Sequence, residues 1–216
     1  SEIKAIAVTL YLRGLSFRKV SEILGVSHVS VSRWFKELVE TVDNQIIIKK
    51  DNKIYKNLEI DELFTFEKKS QKTYIYTAID RETKNIVSYH VDNERSMKAL
   101  DVLLDKIKDL KVESVHTDKC LIYNNLSYKY DKHTTDKINT TQVESVNAVL
   151  RNNLPFLIRK TKAYAKNIKL IINGLKLFSY FYNNKWYKNL LFSKIYNIFV
   201  LSNEKSHYSL KGLYLS

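Results

Sequence analysis

Three acidic residues sit where packing does not account for a carboxylate: Asp61 in NLEIDELFTF, Asp118 in ESVHTDKCLIY and Glu144 in NTTQVESVNAVLRNN. Asp61 interrupts a β-like run, Asp118 ends one, and Glu144 rides a helix whose charged neighbours are otherwise basic. Carboxylates from three separate elements can hold two divalent cations, Mg²⁺ or Mn²⁺. Two such ions about 3.5–4 Å apart clamp the attacking and leaving oxygens of a phosphoryl transfer. Mg²⁺ is a hard ion that takes oxygen ligands and keeps some of its waters, so three carboxylates and a substrate phosphate suffice without His or Cys. Little else is needed, because phosphoryl transfer depends on positioning and electrostatics. The trio therefore points to an enzyme that acts on nucleic acid.

Each acid alone has a plainer reading. Asp61 could be a strand-edge charge, Asp118 a helix N-cap and Glu144 a solvated helix charge. Glu59, Glu62 and Asp80 are rivals; Glu59 lies two residues before Asp61 on the same strand face, and Asp80 reads as a turn residue. On the Glu144 helix, Glu144, Ala148 and Arg151 recur at i, i+4 and i+7, with Asn147 adjacent. Val143, Val146, Leu150 and Leu154 form the neighbouring, buried stripe. Arg151 could hold the scissile or a neighbouring phosphate, or be a structural partner of the carboxylate.

These residues need a scaffold. From Leu58 the pattern is strand-like: Leu58–Phe66, Lys72–Ile79 and Asn85–Val91 read as an antiparallel meander. Ser96 caps a helix to about Lys108, and Val112–Thr117 is a short strand after that crossover. Tyr123–His133 is open to a fifth strand. Thr140 or Thr141 caps the Glu144 helix, and Pro155 ends or kinks it. A long amphipathic helix follows over about Ala163–Asn183, then an apolar, helical stretch over Trp186–Leu201. This order matches a ribonuclease-H-like α/β fold: a mixed sheet with flanking helices, its first and fourth strands adjacent at the centre. Acidic residues on those strands would meet at one edge, with the last helix swinging its carboxylate over the same spot.

Upstream, residues 1–42 read as a small all-α domain. A helix from about Glu2 to Leu12 ends at Gly14, Ser16 caps a second helix to Leu24, Gly25 supplies a positive φ, and Ser27 caps a third helix to about Val39. Helix, glycine-containing turn, helix is the helix-turn-helix signature. Ile23, Leu24, Val26, Val31 and Trp34 are its expected core. In such a motif the N-terminal residues of the last helix face base edges in the major groove, which presents His28, Val29, Ser30, Ser32, Arg33 and Lys36. A three-helix dimerisation module is the plainer alternative. Residues 43–57 read as a linker, 58–183 as the catalytic domain and 184–216 as a helical extension.

The formal charge of +13 is unevenly spread. Residues 1–42 carry six basic and four acidic side chains, 43–144 eighteen of each, and 145–216 twelve basic and one acidic, Glu204. A concentrated positive surface suits a polyanion, since phosphate contacts supply most sequence-independent affinity for DNA. Lys162, Lys166, Lys169, Asn173 and Lys176 recur every three or four residues opposite an apolar face of Ile168, Ile171, Ile172, Leu175 and Phe178. That basic stripe reads as a phosphate track or a solvated surface. No run of about 18 apolar residues marks a membrane span, and no charged-then-apolar leader marks secretion. The single cysteine, Cys120, excludes an internal disulfide and a multi-cysteine zinc site and fits a reducing cytoplasm. The chain begins at Ser1 and not Met, which leaves room for a preceding piece.

At these residues the sequence resembles transposases of the DDE superfamily, most nearly the insertion sequence one (InsAB-type) family. IDELFTF is similar to its first acidic motif and YIYTAIDRETKNIV to the following hairpin. TDKCLIY resembles a second motif in which an aromatic usually stands where Cys120 does. TTQVESVNAVLRNNLPFLIRKTKAYAKN resembles the third block, with Glu144, Asn147, Arg151, Arg159, Lys160 and Thr161 matching. The resemblance implies metal-dependent strand cleavage and strand transfer of an insertion element, with Asp61, Asp118 and Glu144 holding two Mg²⁺ or Mn²⁺ ions. It implies double-stranded DNA as partner, met by the matching Arg159 and Lys160 as well as the helix-turn-helix, with Lys162 and Lys166 of the basic stripe beside them, and a homodimer or higher assembly that pairs two ends. The family often carries a cysteine zinc finger that this chain lacks, so end recognition is expected to differ or the chain to be an immobile relic. A ribonuclease-H-like nuclease without strand transfer, or a catalytically dead DNA-binding regulator, stays open as an alternative.

Overall fold

The computed structural model describes residues 2–43, 53–67, 70–136, 140–157, 165, 167–185 and 192–200. The chain divides into two compact units. One comprises Ser1–Ile47 and Asn173–Ser216, the other Ile48–Ile172. Residues 173–183, read from sequence with the catalytic domain, thus fall in the first unit.

In the first unit, helices α1 (Glu2–Leu12), α2 (Phe17–Leu24) and α3 (His28–Asp43) follow the expected punctuation. The Ser16 hydroxyl accepts the Lys19 N–H at 3.2 Å. Gly25 takes φ +64° and donates its N–H to Ser21 O. The Ser27 hydroxyl accepts the Ser30 N–H at 3.1 Å. The core is Ala5, Ala7, Val8, Leu12, Val20, Val31, Trp34, Phe35, Leu38, Val39 and Val42. Ile23, expected inside, is instead 55% exposed. On α2 only Val20 is buried. In the same unit Tyr11 stacks on Phe17 at 4.2 Å and lies edge-on to Phe35 at 4.8 Å. From α6 (Ile168–Asn183), Leu175, Leu177, Phe178, Phe181 and Tyr182 are buried, as are Ile195, Ile198 and Phe199 of the helix over 192–200, here α7.

The second unit is a five-stranded mixed sheet in the order β3-β2-β1-β4-β5. Its strands are β1 (Ile54–Glu67), β2 (Gln71–Asp80), β3 (Ile86–Asp92), β4 (Lys111–Thr117) and β5 (His133–Thr135). β1 begins inside the stretch read as linker. The meander β1-β2-β3 is antiparallel, while β1–β4 and β4–β5 are parallel. The first and fourth strands are therefore neighbours, as the ribonuclease-H-like reading required. The crossover from β3 to β4 runs through α4 (Met97–Ile107), capped by Ser96, whose hydroxyl accepts the Ala99 N–H at 3.2 Å. α4 buries Ala99, Leu100, Leu103, Leu104 and Ile107 against Leu58, Ile60, Tyr76, Ala78 and Val115, with Tyr123 and Leu126 from a 3₁₀ segment, Leu121–Tyr128. The stretch left open from sequence is this 3₁₀ segment followed by β5.

The opposite face receives α5 (Thr141–Asn153). Pro155 opens a 3₁₀ turn, Pro155–Leu157, so α5 ends just before it. Thr140 stands at the N-cap but makes no side-chain capping bond. The cap is Glu59 of β1, whose Oε2 accepts the Val143 N–H at 2.8 Å. Asp80 is fully buried and closes the β2–β3 turn. It accepts from Lys53 Nζ at 2.7 Å and Thr83 Oγ1 at 2.8 Å, and those bonds hold its carboxyl below the usual range. The turn reading of Asp80 is thereby upheld.

Candidate active site

The register of two parallel strands brings the first two acids together. Glu59 pairs with His116. Asp61 lies two residues beyond Glu59, and Asp118 two beyond His116. Side chains alternate along a strand with period two, so Asp61 shares the α5 face with Glu59, while Asp118 lies one residue past the end of β4 and near enough for its charge to act on the Asp61 carboxyl. Asp61 is half-buried in the middle of β1. Asp118 follows the last residue of β4, and its Oδ1 accepts the Cys120 N–H at 2.9 Å. That bond closes the turn after β4 and is not the helix N-cap expected as the plainer role, since Cys120 stands at the N-cap of the following 3₁₀ segment.

The third element arrives from above. Asn147 of α5 is 5% exposed and donates its Nδ2–H to Asp61 Oδ2 at 2.8 Å. Glu144 is exposed, one helical turn before Asn147. Val143, Val146, Leu150 and Leu154 are buried as the stripe predicted, and Arg151 is half-buried in the last turn of α5.

Burial is the main force that pushes the Asp61 carboxyl up to about 7. The neighbouring Glu62 and Asp118 carboxylates add to it, and the Asn147 bond opposes it. Two like charges on a partly dry sheet edge repel, and hard oxygen donors in that state suit a divalent cation. Among the described residues, no three His, Cys, Asp or Glu side chains are gathered closely enough to hold an ion. Asp61 and Asp118 lie near enough to interact, while Glu144 is on α5 and outside any such group.

Glu62, the other rival, points to the α4 face. It accepts hydrogen bonds from Arg95 and from the hydroxyl of the fully buried Tyr123. This ties β1 to the segment that follows Asp118. Glu59 is fully buried, faces α5 and is ion-paired with Arg81, whose Nε lies 3.2 Å from Oε1. The tie between Glu62 and Tyr123 and the donor role of Asn147 are site features that sequence reasoning did not assign. The period-two pattern did place Glu59 on the face of Asp61.

On the helix-turn-helix, His28, Val29, Arg33 and Lys36 are exposed and Ser30 and Ser32 half-exposed along the first turns of α3. Arg159, Lys160, Lys162 and Lys166 lie outside the described residues, so their placement stays as read from sequence. No described helix is long and apolar enough to cross a membrane.

A family model described as IS1 transposase matches residues 55–188, and one described as a homeodomain-like domain matches residues 1–41. An uncharacterised protein of Methanocaldococcus jannaschii is 30% identical over 203 residues, which cover 88% of this chain and 88% of that protein. Among solved structures, the catalytic core domain of BIV integrase is similar at a TM-score of 0.36 and 18% identity, covering 45% of this chain and 68% of that one. The Mos1 strand transfer complex is similar at 0.36 and 10% identity, covering 92% of this chain and 76% of that one. The strand order and the family models carry the assignment without those low scores: this chain belongs to the IS1 transposase family, and is a DNA transposase of the polynucleotidyl-transferase class.

Proposed function

We propose that the chain cleaves and joins the ends of an insertion element in a reaction that depends on two divalent cations, Mg²⁺ or Mn²⁺, with Asp61, Asp118 and Glu144 as their ligands. When bound, such ions lower the barrier to in-line displacement at phosphorus by stabilising the attacking and leaving oxygens. Asp61 presents carboxylate oxygens from the middle of β1, and Asp118 from the turn that follows β4. Glu144 completes the set from the solvent side of α5. Asn147 holds Asp61 Oδ2 and so fixes that carboxylate in place. Arg151 lies farther along the same helix and is the residue to contact the scissile or a neighbouring phosphate.

In this reading the helix-turn-helix recognises terminal repeats through His28, Ser30, Ser32, Arg33 and Lys36. Arg159, Lys160, Lys162 and Lys166 follow the phosphate backbone, whose contacts position DNA without reading its sequence. Two ends must be paired, so the working species is a homodimer or larger assembly on the cytoplasmic nucleoid.

The observation that carries the reading is the closeness of Asp118, just past the end of β4, to Asp61 on the neighbouring strand β1, with the Glu144 helix tied to Asp61 through Asn147. The test compares Asp61→Asn, Asp118→Ala and Glu144→Gln with the parent on element-end DNA. Each should bind the ends as the parent does and yield neither nicked nor joined product. An Asp118→Ala protein that cleaves as well as the parent removes the metal-site assignment. Nicks without joined strands in the parent reduce the chain to a nuclease.

A further inference from the structure

A carboxylate in a sheet core needs partners to offset its lost hydration. Glu59 is fully buried and has them on two sides. Its Oε2 accepts the Val143 N–H at 2.8 Å, and Arg81 Nε lies 3.2 Å from Oε1. Arg81 is itself tied to β1, since its backbone N–H donates to Asn57 O at 3.0 Å. Val143 is in the first turn of α5, where N–H groups have no acceptor within the helix. A negative charge there also meets the positive end of the helix dipole. The local cap residue, Thr140, leaves this role empty.

Glu59 thus leaves β1 two residues before Asp61 and lands on α5 one residue before Glu144. The Asn147–Asp61 bond is a second attachment, four residues further along the same helix. One attachment would let α5 rotate about its axis; two, one turn apart, fix both rotation and height. We propose that Glu59 is a positioning residue, a buried brace that sets the phase of α5 and so decides where Glu144 stands relative to Asp61. It is not itself an ion ligand, because it is enclosed and engaged by Val143 and Arg81. The proposal rests on the assignment of Asp61, Asp118 and Glu144 above.

The experiment uses the full chain as parent, E59Q, E59A and E144Q. It measures kcat and KM for end cleavage with Mn²⁺, the number of bound Mn²⁺ ions by electron paramagnetic resonance, and amide hydrogen exchange at Val143. The Gln amide oxygen can still accept the Val143 N–H, so E59Q should keep kcat within about tenfold of the parent. E59A should lose about 100-fold in kcat with little change in KM, the scale expected of a small misplacement of a reacting group. Val143 should exchange faster in E59A than in E59Q or the parent, because the bond that protects it is gone. E59Q should bind the parental number of Mn²⁺ ions, and E144Q fewer. Loss of an ion in E59Q overturns the proposal, since Glu59 would then be a ligand. Parental kcat in E59A with an inactive E144Q overturns this proposal alone. Full activity in E144Q overturns it together with the assignment beneath it. Should E59A fail to fold, E59Q decides: kcat within tenfold and an intact ion count support the brace, and a larger loss of kcat refutes it.

Discussion

Asn147 donates its side-chain N–H to Asp61 Oδ2 at 2.8 Å, joining a helix to a strand residue 86 positions earlier in the chain. Asn147 is buried, so its amide cannot exchange this partner for water. The bond does two things at once: it docks α5 on the sheet edge and it stabilises the charged form of Asp61.

Asn147→Ala should therefore cost about 1–3 kcal/mol of stability, the usual penalty for stranding one member of a buried polar pair. It should also raise the pH at which Asp61 ionises, moving the acid limb of the cleavage profile upward. Thermal unfolding and a pH–rate profile check the two effects separately. An unchanged acid limb would mean that Asp61 does not govern it.

Asp61 titrates near 7 in the folded chain, above its ordinary carboxylate value of 3.8. The folded state therefore holds this proton more tightly than the unfolded state does. Linkage then makes the cation-free protein lose stability as pH rises from about 4 through about 7, with no further loss from this group above that. In chelator, Asp61→Asn should flatten this part of the pH–stability curve and raise the melting temperature at pH 8. With cation present the parent should regain stability at pH 8 and Asp61→Asn should not. Calorimetry with and without chelator across pH 4–9 measures both.

Gly25 takes φ +64°, and a Cβ added there would meet nothing within 4 Å. Substitution is therefore penalised by backbone strain alone. Gly25→Ala should destabilise the helical unit by about 1–2 kcal/mol, the cost of the left-handed conformation in an L-residue, while Asn, which tolerates it, should cost less. Equal effects of Ala and Asn on the melting temperature would count against a conformational cause.

Arg33 is exposed on α3, where a recognition helix would face base edges. Arg33→Ala should weaken binding to the element's own ends by about 1–3 kcal/mol while weakening binding to random DNA less, the pattern of base readout. Titrations at one fixed salt concentration compare the two. Equal weakening would assign the side chain to phosphate contact.

Much of the architecture was legible in the residues themselves. Ser16, Gly25, Ser27 and Ser96 announce helix ends because capping is local chemistry, complete within four residues. The meander strands and the α4 face follow from periodicities of two and near four. Ile23 shows where that reasoning stops. It lies three residues after the buried Val20 on the same short helix, yet it is exposed while Tyr11, Phe17 and Phe35 pack together in the same unit, and only packing decides which side chains are enclosed. The capping of α5 is a similar case. Thr140 has the right chemistry in the right place, but a buried carboxylate of β1 competes for the same orphan N–H groups and wins.

The residue types alone determined that three carboxylates lie on three different elements, that the excess positive charge falls after Glu144, and that a helix-turn-helix precedes a mixed sheet. They could not determine how those elements meet. The parallel pairing of β1 with β4 brings Asp118, just past the end of β4, near Asp61. The docking of α5 recruits Asn147 and Glu59, and the α4 face claims Glu62 for Tyr123 and Arg95. Each of these is a contact between residues dozens of positions apart. A linear pattern records which face a side chain occupies, but the partner across that face is chosen only when the sheet and its helices close on one another.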